Sequence, residues 1–225
     1  MRRARGVCFD LDGLLVNTEG MHVDAYQDVA SHLGVTLSEA YLNSFLGAPT
    51  RENLRRIMAD HRVPPARFDE LLQLRYRSYE SIAASTPHVL MPGARECLEQ
   101  VRARGLRTAL VTSSIRRHAL AVLENLEDRL GDGSRVADCF DHLVFGDQVE
   151  RCKPAPDLYL EALRRLRLEP EETVALEDSE AGVTAARAAG LYVVAVPCRN
   201  TNGQDLTGAD VLLSSLGEVC SLDIL

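Results

Sequence analysis

No stretch of the sequence approaches the roughly 18 consecutive apolar residues that a membrane-spanning helix needs. No membrane association is therefore expected. The basic opening Met1-Arg2-Arg3-Ala4-Arg5 has no long apolar segment or cleavage site behind it, so a secretory leader is not expected either. Positive charge is not in excess: 25 Lys and Arg against 33 Asp and Glu leave a net charge of −8, which argues against a broad nucleic-acid footprint. The six cysteines (Cys8, Cys97, Cys139, Cys152, Cys198, Cys220) show no Cys-x-x-Cys spacing. They read as free, mostly buried thiols in a reducing cytoplasm. The six histidines make no zinc-type pair at helical spacing. Internal repeats and low-complexity tracts are also missing. What remains is an ordinary globular composition, 46% apolar and 26% charged over 225 residues, enough for one large domain or two small ones.

The most informative stretch is Val7-Cys8-Phe9-Asp10-Leu11-Asp12-Gly13. A short apolar run reads as a buried parallel strand, and Asp10 sits where the strand gives way to a loop. Ligands of open α/β sheets bind outside the carboxyl ends of the strands. Two carboxylates buried there are costly without a cation, and a hard divalent ion such as Mg²⁺ removes that cost. Gly13 permits a tight turn just beyond. Taken alone, Asp-x-Asp-Gly also fits a plain surface turn.

From Asn17 to about Pro87 the periodicity is helical. Met21, Ala25, Val29 and Leu33 share one face of a helix that stops near Gly34. Thr50 is a candidate N-cap for a helix carrying Leu54, Ile57 and Met58, which Pro64-Pro65 breaks. A third helix carries Phe68, Leu71, Leu72, Tyr79 and Ile82. Beyond Pro92-Gly93, strands and helices alternate. Strands are expected at Thr108–Val111, His142–Phe145, Thr173–Leu176, Tyr192–Val196 and Val211–Leu213, with helices between them. That order implies right-handed βαβ units and a parallel sheet covered by helices on both faces. The helical block is then an insertion after the first strand, placed above the sheet's carboxyl edge where it can act as a lid.

Several strands end in polar residues: Asp10 and Asp12, then Thr112-Ser113-Ser114, then Glu177-Asp178. Lys153 lies in a loop after the His142–Phe145 strand, between prolines. A parallel sheet brings four carboxylates, a cation and a hydroxyl to one edge. Metal-assisted phosphoryl transfer requires such a set, because the metal and lysine neutralise phosphate oxygens and a carboxylate can serve as nucleophile.

With these motifs in order (Asp10-Leu-Asp12-Gly, Thr112, Lys153-Pro-Ala-Pro-Asp157, Glu177-Asp178-Ser179), the chain resembles the haloacid dehalogenase superfamily. Within it, the likeness is to the subgroup of β-phosphoglucomutase and its sugar-phosphate and nucleotide phosphatase relatives. The likeness implies a Rossmann-like core (residues 1–16 and 88–225) and a helical cap (17–87). It implies that Asp10 is the nucleophile, forming an aspartyl-phosphate, and that Asp12 protonates the leaving oxygen and then deprotonates the incoming nucleophile. Thr112 would bond the transferring phosphoryl group, and Lys153 would hold Asp10 and phosphate together. Mg²⁺ would be bound by Asp10, Asp178 and the backbone carbonyl of Asp12, with Glu177 in support. Aspartate at position 12 favours phosphatase or mutase chemistry over dehalogenation or ion pumping.

Two departures stand out. Cys152 precedes Lys153 where relatives often carry glycine, and it reads either as a space-filling residue or as a thiol made reactive by the lysine. Asn17 replaces a common hinge aspartate as a turn or cap residue. The resemblance also points to His22, Arg51 and Arg75 as substrate contacts, with Ser113 and Ser114 lining the same pocket. For each cap residue the alternative is a solvated helix face. Residues 51–77 hold seven arginines against four acidic residues, a local field that attracts anions. The expected activity is Mg²⁺-dependent hydrolysis of a small phosphorylated metabolite by a cytoplasmic enzyme. A monomer is expected, although nothing in the sequence fixes the oligomeric state. The alternatives are a hexose-phosphate mutase and a non-catalytic phosphometabolite-binding module.

Overall fold

A computed structural model describes residues 3–45, 48–199, 201 and 203–224. Met1 and Arg2 of the basic N-terminal run lie outside the described residues. The core is a six-stranded, wholly parallel sheet of β1 (Gly6–Phe9), β2 (Arg107–Val111), β3 (His142–Val144), β4 (Thr173–Glu177), β5 (Tyr192–Ala195) and β6 (Val211–Leu212). Their spatial order is β3-β2-β1-β4-β5-β6. The chain builds outward from β1 on one side and then crosses to the other, so β1 marks the switch point where such sheets bind ligands.

Alternation of side chains across the sheet divides the core into two layers. Val7, Phe9, Leu110, Val174, Leu176 and Val194 pack with α5 (Ala94–Ala103) and α6 (Arg116–Glu124). Cys8, Ala109, Val111, Ala175, Val193 and Ala195 pack with α7 (Asp157–Leu166) and α8 (Glu180–Ala188). Helices therefore cover both faces, as the continuous apolar strands require.

The insertion after β1 forms the helical cap, with α1 (Glu19–Leu33), a short α2 (Glu39–Asn43), α3 (Thr50–Asp60) and α4 (Phe68–Ser85). Two small apolar clusters of its own stabilise it, one around Tyr26, Leu42, Phe45 and Ile57 and one around Val29, Leu54, Met58 and Leu71. Met21, Ala25, Tyr79 and Ala83 join the core cluster beneath, so the foot of the cap packs on the sheet layer. The two connecting segments lie side by side, with Met91 N–H donating to Leu15 O at 2.8 Å.

Local details differ from the sequence reading. Pro49, in extended conformation, is the residue before α3, and Thr50 is its first helical residue and makes no side-chain cap. Helix α1 starts at Glu19, and the Thr18 hydroxyl before it is committed to Asp12 instead of to the helix. Helix α2 escaped the periodicity because five residues show less than two turns, although Ser38 caps it by accepting from Tyr41 N–H. Phe145 and Val196 lie just past their strands.

Candidate active site

Register places the polar strand ends at one level. Phe9 pairs with Leu110 on one side and Leu176 on the other, so the next residues, Asp10, Val111 and Glu177, are neighbours. One step further come Thr112 and Asp178. Lys153, on the loop leading into α7, reaches this edge. It donates to Asp10 Oδ1 at 2.5 Å and to Val111 O at 2.8 Å, and Glu177 Oε1 lies 2.6 Å from its Nζ. The Tyr159 hydroxyl donates to the same Glu177 oxygen.

Two glycines make room for the acids. Gly13 turns at φ +87°, and a Cβ there would lie 2.2 Å from Asp178 Oδ2. A Cβ at Gly182, in the first turn of α8, would lie 1.8 Å from Glu177 Oε2. Side-chain oxygens of Asp10, Glu177 and Asp178 all lie within 4.8 Å of one another, and all three residues are buried. Burial, with Glu177 and Asp12 nearby, pushes the Asp10 carboxyl well above its usual range, against the pull of Lys153. Burial and then Asp10, Glu177 and Glu19 do the same to Asp178. Burial disfavours a charged Lys153, but Asp10 and Glu177 outweigh it and hold the ammonium above its usual range. Glu177 Oε2 has no hydrogen-bond partner among the described residues. Three buried carboxylates with one ammonium are short of positive charge, and oxygen donors this close suit a hard divalent cation.

Asp12 is held differently. Oδ1 accepts from the Thr18 hydroxyl at 2.6 Å, and Oδ2 accepts from Thr112 at 2.9 Å and Ser114 at 2.8 Å. His22 Nε2 lies 3.5 Å from Oδ1. Burial opposes ionisation of Asp12, but His22 and the hydroxyls outweigh it and keep the carboxyl well below its usual range. Arg75 Nη2 donates to His22 Nδ1 at 2.5 Å. Burial, reinforced by the Arg75 cation, keeps His22 below the usual imidazole range.

These groups open into a cavity of about 700 Å³ between cap and core, lined by Asp10, Asp12, Thr112 and Lys153 below and Arg51, Arg55 and Tyr26 above. His22, Arg75, Ser113, Ser114 and Asp178 also line it. Every site residue read from the sequence faces this cavity except Glu177, which is packed behind it. Arg75 is no solvated helix residue: it is 1% exposed, with its guanidinium 4.9 Å from the centre of the Tyr26 ring and 5.1 Å from that of Tyr79. Arg51 is exposed, over the Phe68 ring at 5.0 Å. The Cys152 thiol is pushed up by burial, more than Lys153 lowers it, and it lies 3.4 Å from Gly146 O. Both observations agree with the space-filling reading.

Sequence reasoning missed Glu19, whose carboxylate sits 2.9 Å from the Cys198 thiol and forms a second close group with Asp178. An acidic residue in a helix's first turn is what the helix dipole favours anyway, so position 19 carried no distinct signal. Nothing in the sequence singles out His118, which lines the cavity, or Tyr159, whose hydroxyl bonds Glu177.

The sequence model of the haloacid dehalogenase-like hydrolases matches residues 4–190. A phosphorylated carbohydrates phosphatase of Thermotoga maritima is 37% identical over 187 residues, 82% of this chain and 81% of its own. Protein CbbY of Rhodobacter capsulatus is 34% identical, covering 92% and 91%. A β-phosphoglucomutase of Bacillus subtilis is 28% identical, covering 96% and 91%. Among solved structures, CbbY from Rhodobacter sphaeroides in complex with phosphate superposes with a TM-score of 0.82 at 28% identity, covering 96% of each chain. The chain belongs to the haloacid dehalogenase-like hydrolase family and is an enzyme of its phosphoric monoester hydrolase class.

Proposed function

We propose that the protein is a Mg²⁺-dependent phosphatase that hydrolyses a small phosphomonoester, of sugar-phosphate or nucleotide type, through an aspartyl-phosphate on Asp10. The observation that carries this reading is the contrast between two aspartates on one cavity. Asp10 is clamped by Lys153 at 2.5 Å among buried acids, whereas Asp12 is held by three hydroxyls and faced by a histidine.

The Asp10 and Asp178 carboxylates and the Asp12 backbone carbonyl would hold Mg²⁺, with Glu177 supporting it directly or through water. A bound Mg²⁺ supplies charge neutralisation to the phosphate oxygens. Lys153 fixes one Asp10 oxygen, leaving the other to attack phosphorus as the ester bond breaks. Asp12 delivers a proton to the departing oxygen. It then takes one from the water that cleaves the aspartyl-phosphate, so phosphate leaves and both aspartates return to their starting states. His22 and the hydroxyls around Asp12 hold its carboxyl below its usual range, so the proton it delivers is one taken up from solvent as substrate binds and returned to solvent after phosphate leaves. Thr112 and Ser114, now bonded to Asp12, are placed to turn toward the transferring phosphoryl group.

The test is a panel of phosphorylated metabolites with Mg²⁺, scored for phosphate release and for isomerised product. Phosphate release from sugar or nucleoside monophosphates is expected, abolished by EDTA and restored by Mg²⁺. Asp10→Asn should lower turnover by several orders of magnitude while circular dichroism stays unchanged. Near-normal turnover in that variant would remove Asp10 as nucleophile.

A mutase is the second reading, favoured by His22 beside Asp12 and by Arg51 in the cavity wall. A mutase must exclude water and hold a sugar hydroxyl in line. Arg75 argues against it, since a planar fork engaged with His22 is no equivalent of a compact ammonium in a tight sugar site. Efficient conversion of β-glucose 1-phosphate to glucose 6-phosphate with a bisphosphate primer, and phosphate release at background, would reverse this choice.

A further inference from the structure

The cap-side wall of the cavity depends on a residue that does not line it. Asn53 lies in the first turns of α3 and is 5% exposed. Asparagine is a poor helix former, and a buried amide is costly unless it is bonded. Here its Nδ2 donates to Phe45 O at 2.9 Å, with the Tyr26 hydroxyl at 3.2 Å and Ala48 O at 3.3 Å also within reach. Two hydrogens thus serve three acceptors that come from α1, from the end of the α2 turn and from the approach to α3.

All three acceptor residues line the cavity. Phe45 packs edge-on against Tyr26 at 5.1 Å between ring centres. Tyr26 in turn carries the buried Arg75 guanidinium, and Arg75 bonds His22. One amide therefore fixes the aromatic pair, the carbonyls on either side of the turn into Pro49 and Arg51, and the ring on which Arg75 rests. None of the three bonds is made to a carboxylate of the core; the route from Asn53 to Asp12 runs only indirectly, through Tyr26, Arg75 and His22.

We infer that Asn53 is a positioning residue that sets the cap-side wall and thereby determines how well the leaving-group portion of the substrate is held. The inference rests on the phosphatase reading above. Groups that contact only the leaving portion contribute binding in the ground and transition states alike, so disturbing them raises KM more than it lowers kcat. A substrate too short to reach the wall should not register the change.

The experiment compares wild type, Asn53→Ala and Asn53→Asp on two kinds of probe: hexose and pentose monophosphates, and acetyl phosphate. Asn53→Asp keeps the shape but turns an acceptor toward two carbonyl oxygens. For the sugar phosphates, KM should rise about tenfold, what the loss of one or two net hydrogen bonds supplies, with kcat within about threefold of wild type. For acetyl phosphate, kcat/KM should stay within about threefold of wild type. Asn53→Gln, which retains both N–H groups, should recover part of the sugar-phosphate KM, and it carries the comparison if the other variants fail to fold. Equal losses on both probes would make Asn53 a general stabiliser of the fold and overturn the inference, as would unchanged KM on both. If wild type releases phosphate from neither probe, the phosphatase reading itself fails, which is a separate result.

Discussion

Individual side chains in this protein are placed by electrostatic need as much as by packing. His118 shows it most directly. It lies on the core helix α6 but faces the cap, 2% exposed, with Glu80 Oε1 at 3.3 Å and the Tyr79 ring 4.7 Å away. Burial, then the Arg75, Arg117 and His22 charges, pull its pKa down to about 3, against Asp12. The unfolded chain binds a proton at this position near the ordinary value of 6.5, whereas the folded chain does not. Stability from this residue is therefore complete above pH 6.5 and declines as pH falls from there toward 3, by up to about 1.4 kcal/mol per pH unit. Urea unfolding midpoints should fall between pH 7 and 4 in wild type and fall less steeply in His118→Asn. Parallel slopes in the two proteins would show that His118 is not the titrating group. Nothing in the sequence predicts this behaviour, because His118 in Arg116-Arg117-His118 reads as one more polar helix residue. The carboxylates were legible for the opposite reason. An aspartate ending an apolar strand has few structural explanations, so Asp10 and Asp178 declared themselves, while Glu19, Asn53 and Tyr159 acquire their roles only through partners distant in the chain.

At the scale of elements, strands were readable because parallel strands buried on both faces are continuous apolar runs, and β2, β4 and β5 fall within a residue or two of where the runs stop. Caps and short turns were less readable, as Pro49 and α2 show, because their signals are one or two residues long. Helix α8 illustrates how a site overrides local propensity. Ala is the better helix former, by about 1 kcal/mol relative to Gly. Yet Gly182 is required, since a Cβ would meet Glu177 Oε2 at 1.8 Å and that carboxylate cannot retreat from Lys153 and Tyr159. Gly182→Ala should therefore destabilise the protein, by roughly 1–3 kcal/mol as overpacking does, and weaken Mg²⁺ binding measured by calorimetry. Gly20→Ala is the contrast: a Cβ at that helical position meets nothing within 4 Å, so its melting temperature should match or exceed wild type. A rise in both variants would mean that the Glu177 carboxylate shifts freely and does not anchor Lys153.

At the scale of the whole molecule, the question is how one cavity serves both to admit substrate and to exclude bulk water. The cap joins the core through only two segments, residues 13–19 and 87–93. They pair with each other through Met91 N–H and Leu15 O, and Val16 bridges Leu90. Below them Gly93 is pressed against the backbone of Gly217, where a Cβ would lie 2.3 Å from the amide nitrogen. The base of the connection is therefore stiff, and rotation must occur above it. Across the gap the cap touches the floor of the cavity through Thr18 and His22 on Asp12, and the flank through Glu80, 2.6 Å from Arg117 Nε. The Glu80–Arg117 contact must change if α4 moves relative to α6, and the Thr18 and His22 contacts must change if α1 moves relative to Asp12. We expect residues 17–87 to turn as a unit, and Mg²⁺ with a metallofluoride mimic of the transferring phosphoryl group to favour the closed form. X-ray scattering should then show a smaller radius of gyration than the ligand-free protein. Glu80→Gln weakens the flank contact without touching the carboxylates around the proposed metal, so it should enlarge the ligand-free radius and leave the liganded one unchanged. Identical profiles with and without ligand, in samples where calorimetry confirms binding, would mean that the cap is fixed and that substrate enters a cavity already shaped for it.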